Sequence, residues 1–175
     1  MADAYLGLGS NLGDKRLYLR RALEKLEAGG LIENVSSLYS TEPVGNKEQD
    51  WFLNAAVKLR CDLPPPDLLA FLLAVEQELG RVRTEKNAPR TIDLDLLFYD
   101  DLVIGYEGAG GHGDPPLLVV PHPRLHERRF VLEPLAEIAP GFVHPVLKRT
   151  VQQLAASLES GERVQLVEKD WFPAY

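Results

Sequence analysis

Cysteine appears once in this chain, at position 61, which excludes an internal disulfide and any cysteine-rich zinc site. The flanking Leu59 and Leu63 point to a buried thiol. No apolar run approaches the roughly 18 residues that a membrane span needs. The opening Met1-Ala-Asp-Ala-Tyr-Leu-Gly lacks the basic and then apolar stretches of a secretory leader. The expectation is a cytoplasmic protein without a membrane partner. Positive charge is also short: 19 Lys and Arg stand against 26 Asp and Glu, a formal charge of −7, which argues against nucleic acid as the partner. Two nucleotide-binding signatures are missing as well. Gly7-Leu8-Gly9-Ser10-Asn11-Leu12 has leucine where a dinucleotide fingerprint needs its third glycine, and GxxxxGK followed by Ser or Thr occurs nowhere.

What is present fits one domain over residues 1–175, with 45% hydrophobic and 26% charged residues, enough to bury a core. Residues 4–8 read as a strand, followed by Gly9-Ser10-Asn11-Leu12-Gly13 as turn and helix cap. Leu19, Ala22, Leu23 and Leu26 then give a helical stripe that ends at Gly29-Gly30. Residues 31–40 and 52–59 read as two strands joined by a long loop. After Pro64-Pro65-Pro66, Leu68, Leu69, Leu72, Val75, Glu76 and Leu79 form a second stripe, closed by Gly80. Thr91 to Tyr99 is the clearest strand. The order β-α-β-β-α-β predicts an α+β, ferredoxin-like antiparallel sheet with helices on one face and C-terminal additions. Those additions include a strand-like Leu117 to Val120 and helical stretches near 129–138 and 150–159. Gly105 to Pro116, with five glycines and two prolines, reads as a loop.

Asp93 and Asp95 lie two apart on that last strand, so their carboxylates leave one face roughly 6.5–7 Å apart, while Ile92, Leu94, Leu96 and Phe98 take the other. Two like charges so placed need a countercharge. Mg²⁺ fits, since it takes one or two carboxylates and completes its shell with phosphates and water; pairing with nearby arginines is the competing reading. Gly80 to Arg90 carries Arg81, Arg83, Lys86 and Arg90 against Glu85 alone, so carboxylates and phosphate clamps adjoin. A second basic stretch runs from Pro121 to Phe130 and contains His122, Arg124, His126, Arg128 and Arg129. Pro123 would open a helix there, with His122 at its cap and His126 one turn on. Zinc held by these two histidines and an aspartate is the weaker metal reading.

Taken in order, Gly9-Ser10-Asn11-Leu12, Ser37 to Gly45, Phe52-Leu53-Asn54-Ala55, Gly80-Arg81-Val82-Arg83, Pro89 to Asp95 and Pro121 to Phe130 resemble the 6-hydroxymethyl-7,8-dihydropterin pyrophosphokinase family of folate biosynthesis. The resemblance runs from residue 9 to about 140. It implies ATP as co-substrate with two Mg²⁺, a reduced pterin alcohol as acceptor, pyrophosphate transfer by in-line attack at the β-phosphorus, and release of AMP. It implies Asp93 and Asp95 as metal ligands. Arg81, Arg83, Arg90, His122 and Arg128 would contact phosphate, with Glu76 also at the nucleotide; Arg81, Arg90, His122 and the two aspartates form the catalytic set. Thr41, Asn54 and the backbone of Pro43, Val44 and Gly45 would read the pterin edge, and Phe52 and Phe130 would sandwich its ring. A monomer is expected, with a homodimer left open.

This chain departs from the family in four places: the Gly105 to Pro116 loop is longer than expected, the tail beyond about residue 160 has no match, and two motifs differ. Phe52 stands where tyrosine is common, and Lys86-Asn87-Ala88-Pro89-Arg90 replaces the usual Arg-Trp-Gly-Pro-Arg. Because the fold alone fixes no activity, a non-catalytic ligand-binding module is the alternative of another class, and the Asp-x-Asp strand with its arginines speaks against it. A zinc hydrolase is the third.

Overall fold

In the computed structural model, residues 1–45, 47–81, 89–106 and 118–173 are described. Strand β1 (Ala2–Ser10) is followed by helix α1 (Lys15–Leu26), then by β2 (Leu31–Val35), β3 (Leu38–Thr41) and β4 (Phe52–Cys61). Helix α2 (Pro65–Glu78) leads to β5 (Asp93–Tyr99), and α3 (Arg129–Ile138), α4 (Val151–Ser157) and β6 (Val164–Glu168) complete the chain. The strands form one antiparallel sheet in the order β5-β1-β4-β3-β6, with β2 also paired to β4. The expected β-α-β-β-α-β core is present, its second strand broken into β2 and β3.

The break has a local cause. Ser36 and Ser37 are buried and turn different ways: Ser36 stays on β4, its N–H donating to the Ala56 carbonyl at 2.9 Å, while Ser37 turns to α3. The Ala56 backbone N–H donates to Ser36 Oγ at 2.8 Å, and the Ser37 N–H and hydroxyl donate to the Glu137 carboxylate at 2.7–3.1 Å. Helix α1 buries Leu19, Ala22, Leu23 and Leu26, the stripe read from the sequence. Its cap is Asp14, whose side chain accepts from the Leu17 N–H, and not the Ser10-Asn11 turn, because β1 continues through Ser10. Helix α2 starts on Pro65, where a missing N–H costs nothing, and stops at Gly80, whose φ of +83° suits glycine.

Helices α1 and α2 cover one sheet face, packing on Leu6, Leu8, Val57, Leu59, Leu94 and Leu96; Cys61 is buried with them. Helices α3 and α4 cover part of the other face, over Tyr5, Ala56, Leu97 and Phe98. Phe98 therefore lies on the face opposite to the one its spacing predicts. The β1–β5 register shifts between Tyr5 and Leu6, so Leu97 is an extra residue and the alternation reverses after it. The reversal lets Phe98 meet Phe142 at a centroid distance of 4.5 Å and Tyr5 at 6.3 Å.

Two further expectations are corrected. Leu117 lies outside the described residues, and Leu118 to Val120 contributes only an isolated bridge from Val120 to Ile104. No helix opens at Pro123; a turn and a 3-10 segment at Leu125–Glu127 precede α3. The tail also carries β6, whose side chains alternate poorly because it is an edge strand. Beyond β6, Trp171 and Phe172 enter the α1/α2 core, and the Trp171 indole N–H donates to the Ser36 carbonyl at 2.8 Å. Among the described residues no helix is long and apolar enough to cross a membrane.

Trp171→Ala should cost about 3–5 kcal/mol, since it empties a large buried volume and strands the Ser36 carbonyl. Urea unfolding measures this as a lower midpoint at unchanged slope. A loss below about 1 kcal/mol would mean that the tail is not part of the core.

Candidate active site

The α3 side of the sheet is packed at one end and hollow at the other, because of which residues face it. On β4 these are Phe52, Asn54 and Ala56; on β1, between β4 and β5, they are Gly9, Gly7 and Tyr5; on β5, Asp93, Asp95 and Leu97. Gly9 pairs with both Asn54 and Asp93, and Gly7 pairs with Asp95. Two adjacent side chains are thus missing from the central strand, which leaves a trough between the asparagine and the aspartates. A Cβ on Gly9 would lie 2.6 Å from Asn54 Oδ1, so any other residue there must displace the Asn54 side chain. The trough opens into a cleft of about 180 Å³ lined by Gly7, Gly9, Thr41, Glu42, Val44, Gln49, Phe52, Asn54, Arg90, Asp93, Asp95, Arg124, Arg128 and Phe130, among others.

At the acidic end the two carboxylates differ. Asp93 accepts from Arg90 Nη1 at 2.9 Å and lies 3.8 Å from Arg81 Nη2, so the arginine pairing weighed above holds for Asp93. Asp95 has no such pair among the described residues. Burial, then the charge of Asp93, pushes its carboxyl up to about 8, against the pull of Arg128 and Arg90. The donor set suits Mg²⁺: two hard oxygen groups on one face, one short of positive charge, with room above for phosphate oxygens. Among the described residues no three His, Cys, Asp or Glu side chains gather as a metal site, which leaves the zinc reading without a ligand set.

Glu76 stands behind this strand. It is 1% exposed, its Oε2 accepts from the Leu94 N–H at 2.8 Å, and it does not line the cleft. The nucleotide contact expected of it does not match this placement; the carboxylate instead holds the outer edge of β5 between the two aspartates. Asn11, not singled out as a site residue, braces the same corner. Its Oδ1 accepts from the Arg90 N–H at 2.9 Å and its amide nitrogen donates to Gln49 Oε1 at 2.8 Å and the Asp50 carbonyl at 3.1 Å.

Arg81 is nearly buried against Asp93, Arg128 lines the cleft, and Arg83 lies outside the described residues. His122 adjoins the cleft without lining it. Its Nδ1 accepts from the Arg124 N–H at 3.2 Å, and burial aided by Arg128 lowers the ring to about 4. It is therefore neutral at pH 7 and carries its proton on Nε2.

At the polar end the Asn54 amide donates to Thr41 Oγ1 in a short, buried hydrogen bond. Val44 lines the cleft, with Pro43 and Gly45 beside it; Gly45 has a φ of +81°. Phe52 and Phe130 both line the cleft, each with a guanidinium near its ring: Arg90 at 5.8 Å and Arg128 at 5.6 Å. The sequence reading missed Glu42, Gln49, Arg124 and the glycines as lining residues. The Gly7-x-Gly9 spacing was the available signal for the last, since alternate glycines on a strand bare one sheet face.

The unequal aspartates have an opposite signature in stability. A carboxyl raised in the folded state binds more protons there, so its stability is full below the unfolded value near 3.8 and is lost as pH rises through about 8. Wild-type protein in chelator should therefore lose stability over that window relative to Asp95→Asn. His122 and His144, both lowered to about 4 chiefly by burial, act in the opposite sense and cancel in the difference. Asp93→Asn should instead lower stability by roughly 1–3 kcal/mol, because it leaves Arg81 and Arg90 without their shared anion. Melting temperatures from pH 4 to 9 decide it; parallel curves for wild type and Asp95→Asn would place no strain at Asp95.

Residues 5–140 match the family model described as 7,8-dihydro-6-hydroxymethylpterin-pyrophosphokinase (HPPK). The chain is 46% identical over 169 residues to a 2-amino-4-hydroxy-6-hydroxymethyldihydropteridine pyrophosphokinase of Methylorubrum extorquens, covering 94% of this chain and 100% of that one. It is also 40% identical over 160 residues to the folic acid synthesis protein FOL1 of Dictyostelium discoideum, covering 91% of this chain but 23% of FOL1. Among solved structures it superposes on Plasmodium falciparum HPPK-DHPS with a TM-score of 0.70 at 19% identity, over 89% of this chain and 43% of that one, a likeness of fold. With the family model spanning most of its length and a full-length relative at 46% identity, this chain belongs to the HPPK family.

Proposed function

We propose that this protein transfers pyrophosphate from ATP to the hydroxymethyl group of 6-hydroxymethyl-7,8-dihydropterin and releases AMP, a step of folate biosynthesis. The reading rests on one observation: a single cleft joins two aspartates with their arginines to a polar edge between two phenylalanines. The first end suits a triphosphate and the second a flat heterocycle. Residues 1–175 act in this reading as one cytoplasmic domain, a monomer with a homodimer left open, with water-soluble substrates.

Asn54 and Thr41 present amide and hydroxyl groups to the pterin edge, helped by backbone groups of Pro43, Val44 and Gly45, while Phe52 and Phe130 take its faces. The bare backbone of Gly7 and Gly9 lets the ring approach the sheet. Asp93 and Asp95 would hold Mg²⁺, two ions in this reading, and the metal would supply positive charge to the triphosphate and lower the pKa of the attacking alcohol. Arg81 and Arg90, which already point at the acidic corner, would contact the phosphates there. Arg128, Arg83 and the neutral Nε2–H of His122 complete the set of donors to the phosphates. The pterin hydroxymethyl oxygen forms a bond to the β-phosphorus as the bond from that phosphorus to the AMP oxygen breaks, and the alcohol proton is lost. Positioning and charge stabilisation do the catalysis.

Incubated with ATP, Mg²⁺ and the reduced pterin alcohol, the protein should form AMP and pterin diphosphate in equal amounts, and chelator should stop both; ADP as the stoichiometric product would contradict pyrophosphoryl transfer. Asn54→Ala should weaken pterin binding by roughly 1–3 kcal/mol with nucleotide binding nearly intact. Gly9→Ala should do the same without removing a polar group, since its Cβ must push Asn54 Oδ1 away from 2.6 Å. Calorimetry with each ligand measures both, and unchanged pterin affinity in both variants would remove this end of the cleft from the site.

A further inference from the structure

The tail after residue 140 lies beyond the stretch matched by the family model, yet it reaches both walls of the cleft. Strand β6 pairs with β3, Thr41 opposite Val164, and the pairing continues past the strand ends. The Glu42 N–H donates to the Arg163 carbonyl at 3.1 Å, and the Arg163 N–H donates to Glu42 Oε1 at 3.0 Å. The Arg163 guanidinium meets Glu42 Oε2 at 3.4 Å and lies over the Trp51 ring, 4.9 Å from its centroid. Glu42 lines the cleft, and Trp51 immediately precedes Phe52. One residue earlier, Glu162 faces the other way, as successive side chains on an extended chain do. Its carboxylate lies beside the backbone N–H of Arg129, the first residue of α3, and near the Arg128 and Arg129 side chains, with Oε2 buried and without a hydrogen-bond partner among the described residues. Arg129 Nη2 donates to the Leu158 carbonyl at 2.9 Å, a second tie between the tail and the start of α3. Phe130 and Val131, the next residues of α3, line the cleft.

We propose that Glu162 and Arg163 form a strap that fixes the spacing between the Phe52 wall and the Phe130 wall, making both of them positioning residues for the flat substrate. The proposal rests on the reading that these walls take the pterin ring. The strap adds little to global stability, because the Arg163 side chain is 72% exposed and such ion pairs are weak. Its effect is on geometry: an aromatic slot that widens loses contact with both ring faces and misaligns the attacking oxygen.

Glu162→Ala and Arg163→Ala should each raise the KM for 6-hydroxymethyl-7,8-dihydropterin by roughly five- to tenfold. The KM for ATP should hold, and melting temperatures should stay within about 3 °C of wild type. The double variant should raise pterin KM no further than the worse single one, since cutting a strap at either end releases it. Glu162→Gln keeps the side-chain length and an oxygen beside the Arg129 N–H and should restore near-normal pterin KM. Unchanged pterin KM in a folded Arg163→Ala protein, or an equal rise in both KM values, would overturn the strap while leaving the enzymatic reading intact; absence of AMP from wild-type protein would overturn both.

Discussion

Two carboxylates two residues apart on one sheet face cannot both keep their charge cheaply where water is partly excluded, and the cleft is arranged around that constraint. Arg81 and Arg90 answer it at Asp93. Among the described residues no comparable pair answers it at Asp95, whose carboxyl is raised by burial and by its neighbour. In the proposed function a cation held by oxygen would complete the corner. Glu76 and Asn11 are best understood as fixing this arrangement, one by holding the β5 backbone between the aspartates and the other by holding the Arg90 backbone.

The rest of the site follows from how unevenly the two sheet faces are filled. The α1/α2 face is packed along its length by aliphatic side chains. The other is packed only where Tyr5, Ala56, Leu97 and Phe98 meet α3 and α4. Beyond Tyr5, β1 offers Gly7 and Gly9 to that face, and the sheet stops being a packing surface and becomes the floor of the cleft. The Leu97 bulge marks the transition on β5, since it turns Phe98 toward the packed end just past the last aspartate. A close-packed fold gains a cleft here by omitting side chains rather than by moving elements apart.

Much of this was legible in the sequence, because the signals were periodic. The α1 and α2 stripes, the Asp-Leu alternation of β5 and the paired glycines ending β1 each repeat at the spacing of one element. What escaped was set by contacts distant in sequence. The Ser36-Ser37 break depends on Glu137, a hundred residues away, and the reversal at Phe98 depends on a bulge opposite Tyr5. Strand β6 has half-exposed residues with no period because its order comes from β3. Glu76 sat on the buried stripe of α2, and its distance from the cleft followed from that stripe. For the motifs shared with the HPPK family, the roles of Thr41, Asn54 and Phe130 came from resemblance; the structure brings the three together in one cleft.

The central claim is that the corner at Asp93 and Asp95 holds less positive charge than it needs until a metal–nucleotide complex binds. Calorimetric titration with Mg²⁺ and a non-hydrolysable ATP analogue at pH 7, in two buffers of different ionisation enthalpy, measures the protons released on binding. Binding that requires a deprotonated carboxylate should release close to one proton in wild-type protein and almost none in Asp95→Asn, with the affinity of the variant sharply reduced. Equal affinity and equal proton release in the two proteins would contradict the account.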